Sequence, residues 1–189
     1  LTTDLGKGKR IQYAENQSET TAVAVDAFLD YQLVEEDLYN LNNMGATWYF
    51  DKYDAMTSMS YSFNFPNIIE SEKCNIKVDV AARNTSSQSS FEVRLNGNFI
   101  NSIKVNKVSD NYANIGSTGN VKFYSDSDNI SVNLDFVKSS ASAAGWLEYI
   151  SINAWRELIF TGNAMSFRNP ECFDESETYR YEIRNAAAS

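Results

Sequence analysis

Met59, Tyr61, Phe63 and Phe65 alternate with Ser60, Ser62 and Asn64 before Pro66 stops the run. That period of two gives a continuous apolar surface only when the chain is extended, because successive side chains of a strand point to opposite faces. The same pattern returns at Ile76, Val78, Val80 and Ala82, at Phe91, Val93 and Leu95, and at Ile130, Val132, Leu134 and Phe136. Each such strand has one wet and one dry face, so the chain must stack sheets to hide the dry ones. Asn96-Gly97 follows the third run, and this dipeptide tolerates positive φ at both corners of a type I′ turn. A hairpin is expected there, with a bulge if Phe99 falls awkwardly in register.

The stretch around which these strands are organised is Gly145 to Leu158, which carries Trp146, Tyr149, Ile150, Ile152 and Trp155 behind a small-residue loop, Ser139 to Ala144. β-branched and aromatic residues suit a pleated, half-buried surface, and a long central strand is expected. Leu147, Ile150, Ala154 and Leu158 also fall at helical spacing, which keeps a helix as the alternative.

The remaining segments are shorter. Ala22 to Phe28 alternates around Val23 and Val25 as a first strand, and Tyr31 to Leu41 fits either a short helix or an irregular strand. Asn42 to Gly45 signals a turn. Residues 106–119 read as a loop, and Val121 and Phe123 begin a strand. Ala164 to Arg168 reads as a strand ended by Asn169-Pro170, and Tyr179, Tyr181 and Ile183 form a last short one. With two Pro and eight Gly in 189 residues, the fold class expected is all-β: an antiparallel β-sandwich, a jelly roll of the galactose-binding-domain-like kind. The organisation expected is a polar arm over residues 1–20, the sandwich over 21–170, and a final strand and linker over 171–189.

Composition excludes several functions. Acidic residues outnumber basic ones 25 to 16, a net charge of −9, and Lys and Arg are scattered singly, which disfavours nucleic acid and anionic membranes. No apolar run approaches the roughly 20 residues that span a bilayer, and the N-terminal stretch lacks a signal-peptide layout. Histidine is absent, which removes Ser-His-Asp and Cys-His catalysis from this chain. Cys74 and Cys172 fit no metal spacing; two separate buried thiols are expected rather than a disulfide. No cofactor is expected. Ca²⁺ is considered only at Asp126 and Asp128, where a solvated turn is the plainer account because no bidentate Glu follows at loop spacing.

Trp48, Tyr49 and Tyr53, with Trp155, are the candidate ligand or domain-contact aromatics, since such rings can stack on sugars; the plainer account is that they plug the core. A carbohydrate-binding module would need a co-planar exposed pair among them. A glycosidase drawing its two carboxylates from Glu35, Asp37, Asp51 or Glu148 is the weakest alternative, because acidic residues on strands and loops are usually just solvated.

Three stretches carry a resemblance to a known family: Gly45-Ala-Thr-Trp48-Tyr-Phe-Asp-Lys-Tyr53, Trp146-Leu-Glu-Tyr149-Ile-Ser-Ile-Asn153-Ala-Trp-Arg156-Glu-Leu158, and Met165-Ser-Phe167-Arg168. With their spacing they resemble, over roughly residues 30 to 170, the N-terminal non-catalytic region of PorU-like proteins of Bacteroidetes. These are gingipain-type cysteine peptidases that act as sortases of the type IX secretion system. Phe50 stands where that family usually has Gly, and Trp155 where the first of two Arg is common; Arg156 matches the second. Trp146, Tyr149, Asn153, Arg156, Phe167 and Arg168 are the family-motif residues.

The resemblance implies an exported protein at the cell surface or outer membrane, in which a downstream peptidase domain carries catalysis. This region would support or dock that domain, with secretion-system surface proteins as further partners and a glycan as the alternative partner. Neither Cys74 nor Cys172 matches the family's nucleophile, so this region itself is not expected to be an enzyme.

Overall fold

The structure, a computed structural model, describes residues 22–41, 47–109, 112–174 and 176–186. The expected polar arm and the Asn42 to Gly45 turn lie outside the described residues. Strands run in the order β1 (Val23–Val25), β2 (Ala27–Val34), β3 (Lys52–Tyr53), β4 (Ser58–Asn64), β5 (Cys74–Arg83) and β6 (Ser89–Leu95). They continue as β7 (Asn98–Val105), β8 (Asn114–Ser117), β9 (Val121–Phe123), β10 (Asn129–Val137), β11 (Ala144–Glu157) and β12 (Tyr179–Tyr181). Among the described residues no helix is long and apolar enough to cross a membrane.

Two antiparallel sheets make the sandwich. One has the order β4-β10-β6-β7; the other is six-stranded, with the path β2-β11-β5-β8, β3 added to β11 and β9 to β5. The dry faces meet in one core: Tyr61 and Phe63 of β4, Phe91 and Val93 of β6 and Ile130 to Phe136 of β10 face Ile76, Val78 and Val80 of β5 and Leu147, Ile150 and Ile152 of β11. The antiparallel jelly-roll sandwich expected from period-two patterning is the fold the chain adopts.

β11 is the central strand, paired with β2 along one side and with β5 along the other. A register shift between Leu147 and Tyr149 places one extra residue in it. The bulge moves the buried set from Leu147 to Ile150, three residues on, before alternation resumes at Ile152 and Ala154. Such a bulged strand imitates helical spacing, which accounts for the ambiguity of this stretch.

The hairpin forms where Asn96-Gly97 predicts it, with φ of 47° and 83° at the two corners and a register shift between Val93 and Arg94. Asn96 also ties the turn to β10: its N–H donates to the Ser131 carbonyl at 2.9 Å, and its Oδ1 accepts from the Ser131 N–H at 2.8 Å.

Three segments depart from expectation. Tyr31 to Leu41 is neither a helix nor one strand; β2 covers it to Val34, and an isolated bridge joins Tyr39 to Tyr49. Residues 106–119 contain β8, whose sequence, Asn-Ile-Gly-Ser, hides a backbone ladder behind a polar composition. Ala164 to Arg168 is not a strand, for its backbone gives Leu29 only the Arg168 carbonyl at 2.9 Å while Phe167 packs edge-on to Phe28. Beyond it, β12 pairs in parallel with β1.

Both cysteines are unbridged. Cys74 is 1% exposed and its thiol is pushed up to about 11 by burial, whereas Cys172 is only half-buried. A thiolate is the reactive species, so Cys74 should be inert while folded. Ellman's reagent at mildly alkaline pH is expected to titrate Cys172 in the native protein and Cys74 only after denaturant; rapid reaction of both in the native state would contradict this burial.

Candidate functional site

The aromatic cluster divides between surface and core. Trp48 is 40% exposed, Tyr49 6% and Tyr53 0%. Tyr49 is turned inward because its backbone makes both hydrogen bonds of the bridge to Tyr39, each at 2.8 Å, and its ring packs on Ala81, Ala144 and Trp146. Burial, and after it the Glu148 charge, raises the Tyr49 phenol.

Tyr53 lies on β3 against Gly145 and packs edge-on to Phe91, ring centres 5.3 Å apart. Its hydroxyl lies 2.8 Å from that of Tyr61, which donates to Asp51 Oδ2 at 2.6 Å, leaving Tyr53 to donate to Tyr61. Burial is the main cause that raises both phenols. This chain of hydroxyls satisfies a polar group that the core would otherwise strand. Tyr49 and Tyr53 therefore offer no ring to a ligand, and Trp48 and Trp155 are the candidates left at the surface.

The family-motif residues mostly build the sheet. Trp146 is 5% exposed and lies under the Arg83 guanidinium, 5.7 Å from its ring. Tyr149 pairs its hydroxyl with Lys77 Nζ, which also bridges Asp79 at 2.9 Å. Arg156 is the deepest charge among the described residues, at 8% exposure. Its Nε donates to the Pro66 carbonyl at 2.6 Å and its NH1 to Asp30 Oδ2 at 2.7 Å, with Phe28 beneath the guanidinium at 5.1 Å. Phe167 rests on Phe28 and Tyr181, and Arg168 lends its carbonyl to β2.

Of the candidate carboxylates, Glu35 lies near both Asp37 and Glu148, and Asp51 stands apart. Asp51 is engaged by Tyr61, whereas Glu148 shares its surroundings with Asp79 and Glu35. Glu35 and Asp37 edge a shallow depression beside Leu33. Burial first, then the Asp79 and Glu35 charges, raises the Glu148 carboxyl. A raised folded-state pKa means stability that is full below the ordinary Glu value of about 4.3 and lost as pH rises through the folded value. Glu148→Gln is therefore expected to melt above wild type at neutral pH and to converge with it below about pH 4; equal melting at both would contradict the burial.

Among the described residues no group of three or more His, Cys, Asp or Glu is placed to hold a metal ion. Asp128, one of the two residues considered for Ca²⁺, instead accepts the Ile68 N–H at 3.0 Å.

Sequence reasoning missed a cleft on the outer face of the six-stranded sheet, because its residues come from strands far apart in sequence. Ladder register lines up Tyr31, Asn153, Asn75 and Lys122 across β2, β11, β5 and β9, with Leu29 beside Trp155 in the next row. A cavity of about 500 Å³ opens over this face between Trp155, Asn153, Asn75, Lys122 and Tyr124. A second, of about 390 Å³, lies on the other side of Trp155, toward Asp26, Glu171, Cys172 and Tyr179. Trp155 and Glu72 line both.

Comparison with known proteins bears on the fold. No family model and no curated protein matches the chain. Among solved structures, the chain is similar to part of dimeric latent PorU from Porphyromonas gingivalis, at 17% identity and a TM-score of 0.66, over 84% of this chain and 15% of that one. It thus spans about 15% of the length of that protein. Looser likenesses are to the carbohydrate-binding module CBM36 in complex with calcium and xylotriose (16% identity, TM-score 0.41, 64% of this chain and 98% of that one) and to the CBM35 module from Cellvibrio japonicus Abf62 (10%, 0.43, 74% and 99%).

Proposed function

We propose that this chain is a non-catalytic accessory β-sandwich domain of a longer, PorU-like protein of the cell surface, and that it supports or docks the catalytic domain of that protein in type IX secretion. The observation that carries the proposal is the likeness in fold to a 15% portion of PorU over 84% of this chain. Three sequence stretches that resemble the PorU-like family support it independently. The positions of those stretches agree with a scaffolding role: Trp146 joins β11 to β5, Arg156 joins β11 to β2 and Phe167 joins the C-terminal segment to β2, and none presents a reactive group. The chain also lacks histidine, the usual proton acceptor of cysteine and serine hydrolases.

Contact with the neighbouring domain is assigned to the bridged segments around Tyr39 and Tyr49, where Leu38, Tyr39 and Trp48 are 56%, 41% and 40% exposed. Apolar groups grouped on a surface mark interaction sites. In the full-length protein, deleting residues 22–186 should abolish folding or surface attachment of the parent. Trp48→Ala should lower processing by the parent while leaving the melting temperature of this domain unchanged. Unaltered folding, attachment and processing after the deletion would overturn the proposal. A glycan-binding role with Trp48, Tyr49, Tyr53 and Trp155 as one aromatic platform is not favoured, since Tyr49 and Tyr53 are inside.

A further inference from the structure

The cleft at Trp155 has the chemistry of a site rather than of a seam. Its middle is an indole that lines both cavities, with Tyr124 at one end and Tyr179 at the other. Between the rings stand groups that donate and accept: the Asn153 and Asn75 amides, the Lys73 and Lys122 ammonium groups, and the Asp26, Glu72 and Glu171 carboxylates. Asn75 is the informative one. Its Nδ2 reaches Asn120 Oδ1 at 3.3 Å, but its Oδ1 is buried with no hydrogen-bond partner. Leaving a buried amide oxygen unbonded is unfavourable, and native structures rarely do so.

The partner class follows from what the cleft lacks. It crosses β11 and β5 in the middle of the sheet, where the backbone is already bonded in the ladders on both sides. A peptide bound as an added strand needs an open sheet edge, and none is available there. Over β11 and β5 only side chains can read the ligand, and an open strand edge is met only at the margins, at β9 and β1. Flat rings flanked by paired donors and acceptors suit a molecule with apolar C–H faces and hydroxyls that both donate and accept.

We propose that the Trp155 cleft binds an oligosaccharide, one sugar ring lying against the indole and a hydroxyl taken up by Asn75, whose side chain turns its buried Oδ1 outward to accept it. The site differs from the Trp48 patch assigned to domain contact and does not rest on the accessory reading. The sugar can be a free chain or the saccharide portion of a surface glycolipid, since both present the same hydroxyl chemistry.

The test uses xylotetraose, cellotetraose, mannotetraose, tetragalacturonate and delipidated lipopolysaccharide polysaccharide as probes. The readouts are side-chain NMR of the Trp155 indole and Asn75 amide, and calorimetry. At least one probe should shift both resonances. Trp155→Ala should weaken its binding about tenfold, Asn75→Ala should also weaken it, and Trp48→Ala should leave it unchanged. Should Trp155→Ala fail to fold, Trp155→Phe must retain part of the affinity and Asn75→Ala carries the decision. Response to the delipidated polysaccharide alone identifies the glycolipid source, and response to a defined tetrasaccharide the free chain. No response to any of the five probes, binding unaffected by Trp155→Ala or Asn75→Ala, or capture of extended peptides in place of sugars would overturn the proposal.

Discussion

Arg156→Ala is expected to destabilise the domain by about 3 kcal/mol, toward the lower end of the range for breaking a buried ion pair. The Arg156 side chain is 10% exposed and that of its partner Asp30 22%, so removing the cation leaves a poorly solvated carboxylate and takes the partner from the Pro66 carbonyl and the Phe28 ring. Three parts of the chain lose their common anchor at once: β11, β2 and the loop after β4. For a domain of this size each kcal/mol moves the melting temperature by roughly 2–4 °C, so a drop on the order of 6–12 °C is expected. Arg156→Lys should recover little, because a point charge cannot serve Pro66 and Asp30 together as the planar fork does. Pairing Arg156→Met with Asp30→Leu should recover most of the loss. A melting temperature within a degree or so of wild type would show that this charge is solvated.

Gly145→Ala is expected to cost about 1–3 kcal/mol, the usual range for overpacking a filled core. A Cβ at Gly145 would sit 2.5 Å from Phe91 Cζ and 3.0 Å from Phe136 Cδ2. Neither ring can retreat: the two pack on each other with centres 4.7 Å apart, and Tyr53 closes the far side of Phe91. The backbone itself is at fault for no part of the cost, since φ at Gly145 is not positive; the space alone decides. Phe91→Leu in the same chain should reduce the penalty of Gly145→Ala, and a double-mutant cycle measured in urea isolates that coupling. Additive effects would mean that the two sheets do not meet at Gly145 as closely as described.

Much of the sandwich was legible because β4, β5, β6 and β10 each bury alternate residues and wet the others, which is the one pattern a sequence displays without its partners. Legibility failed where the backbone broke that rule. One extra residue at Glu148 turned β11 into a mimic of a helix. β8 is held by its ladder to β5 while Ile115, the large apolar residue in it, is 75% exposed. At Met165 and Phe167 the alternation is real, yet extended chain is not the same as paired chain.

The site was harder to see for a different reason. Tyr49 and Tyr53 look like Trp48 in sequence, and only the bridge to Tyr39 and the hydroxyl of Tyr61 decide that they lie inside. The Trp155 cleft is assembled from residues 23 to 179, so no local spacing announces it.

The full open reading frame from which this chain comes tests the central claim most directly. The accessory-domain account predicts that it continues beyond Ser189 into an α/β segment bearing the spaced His and Cys of a peptidase. A reading frame that closes near Ser189 would contradict it and leave the likeness to PorU as one of shape alone.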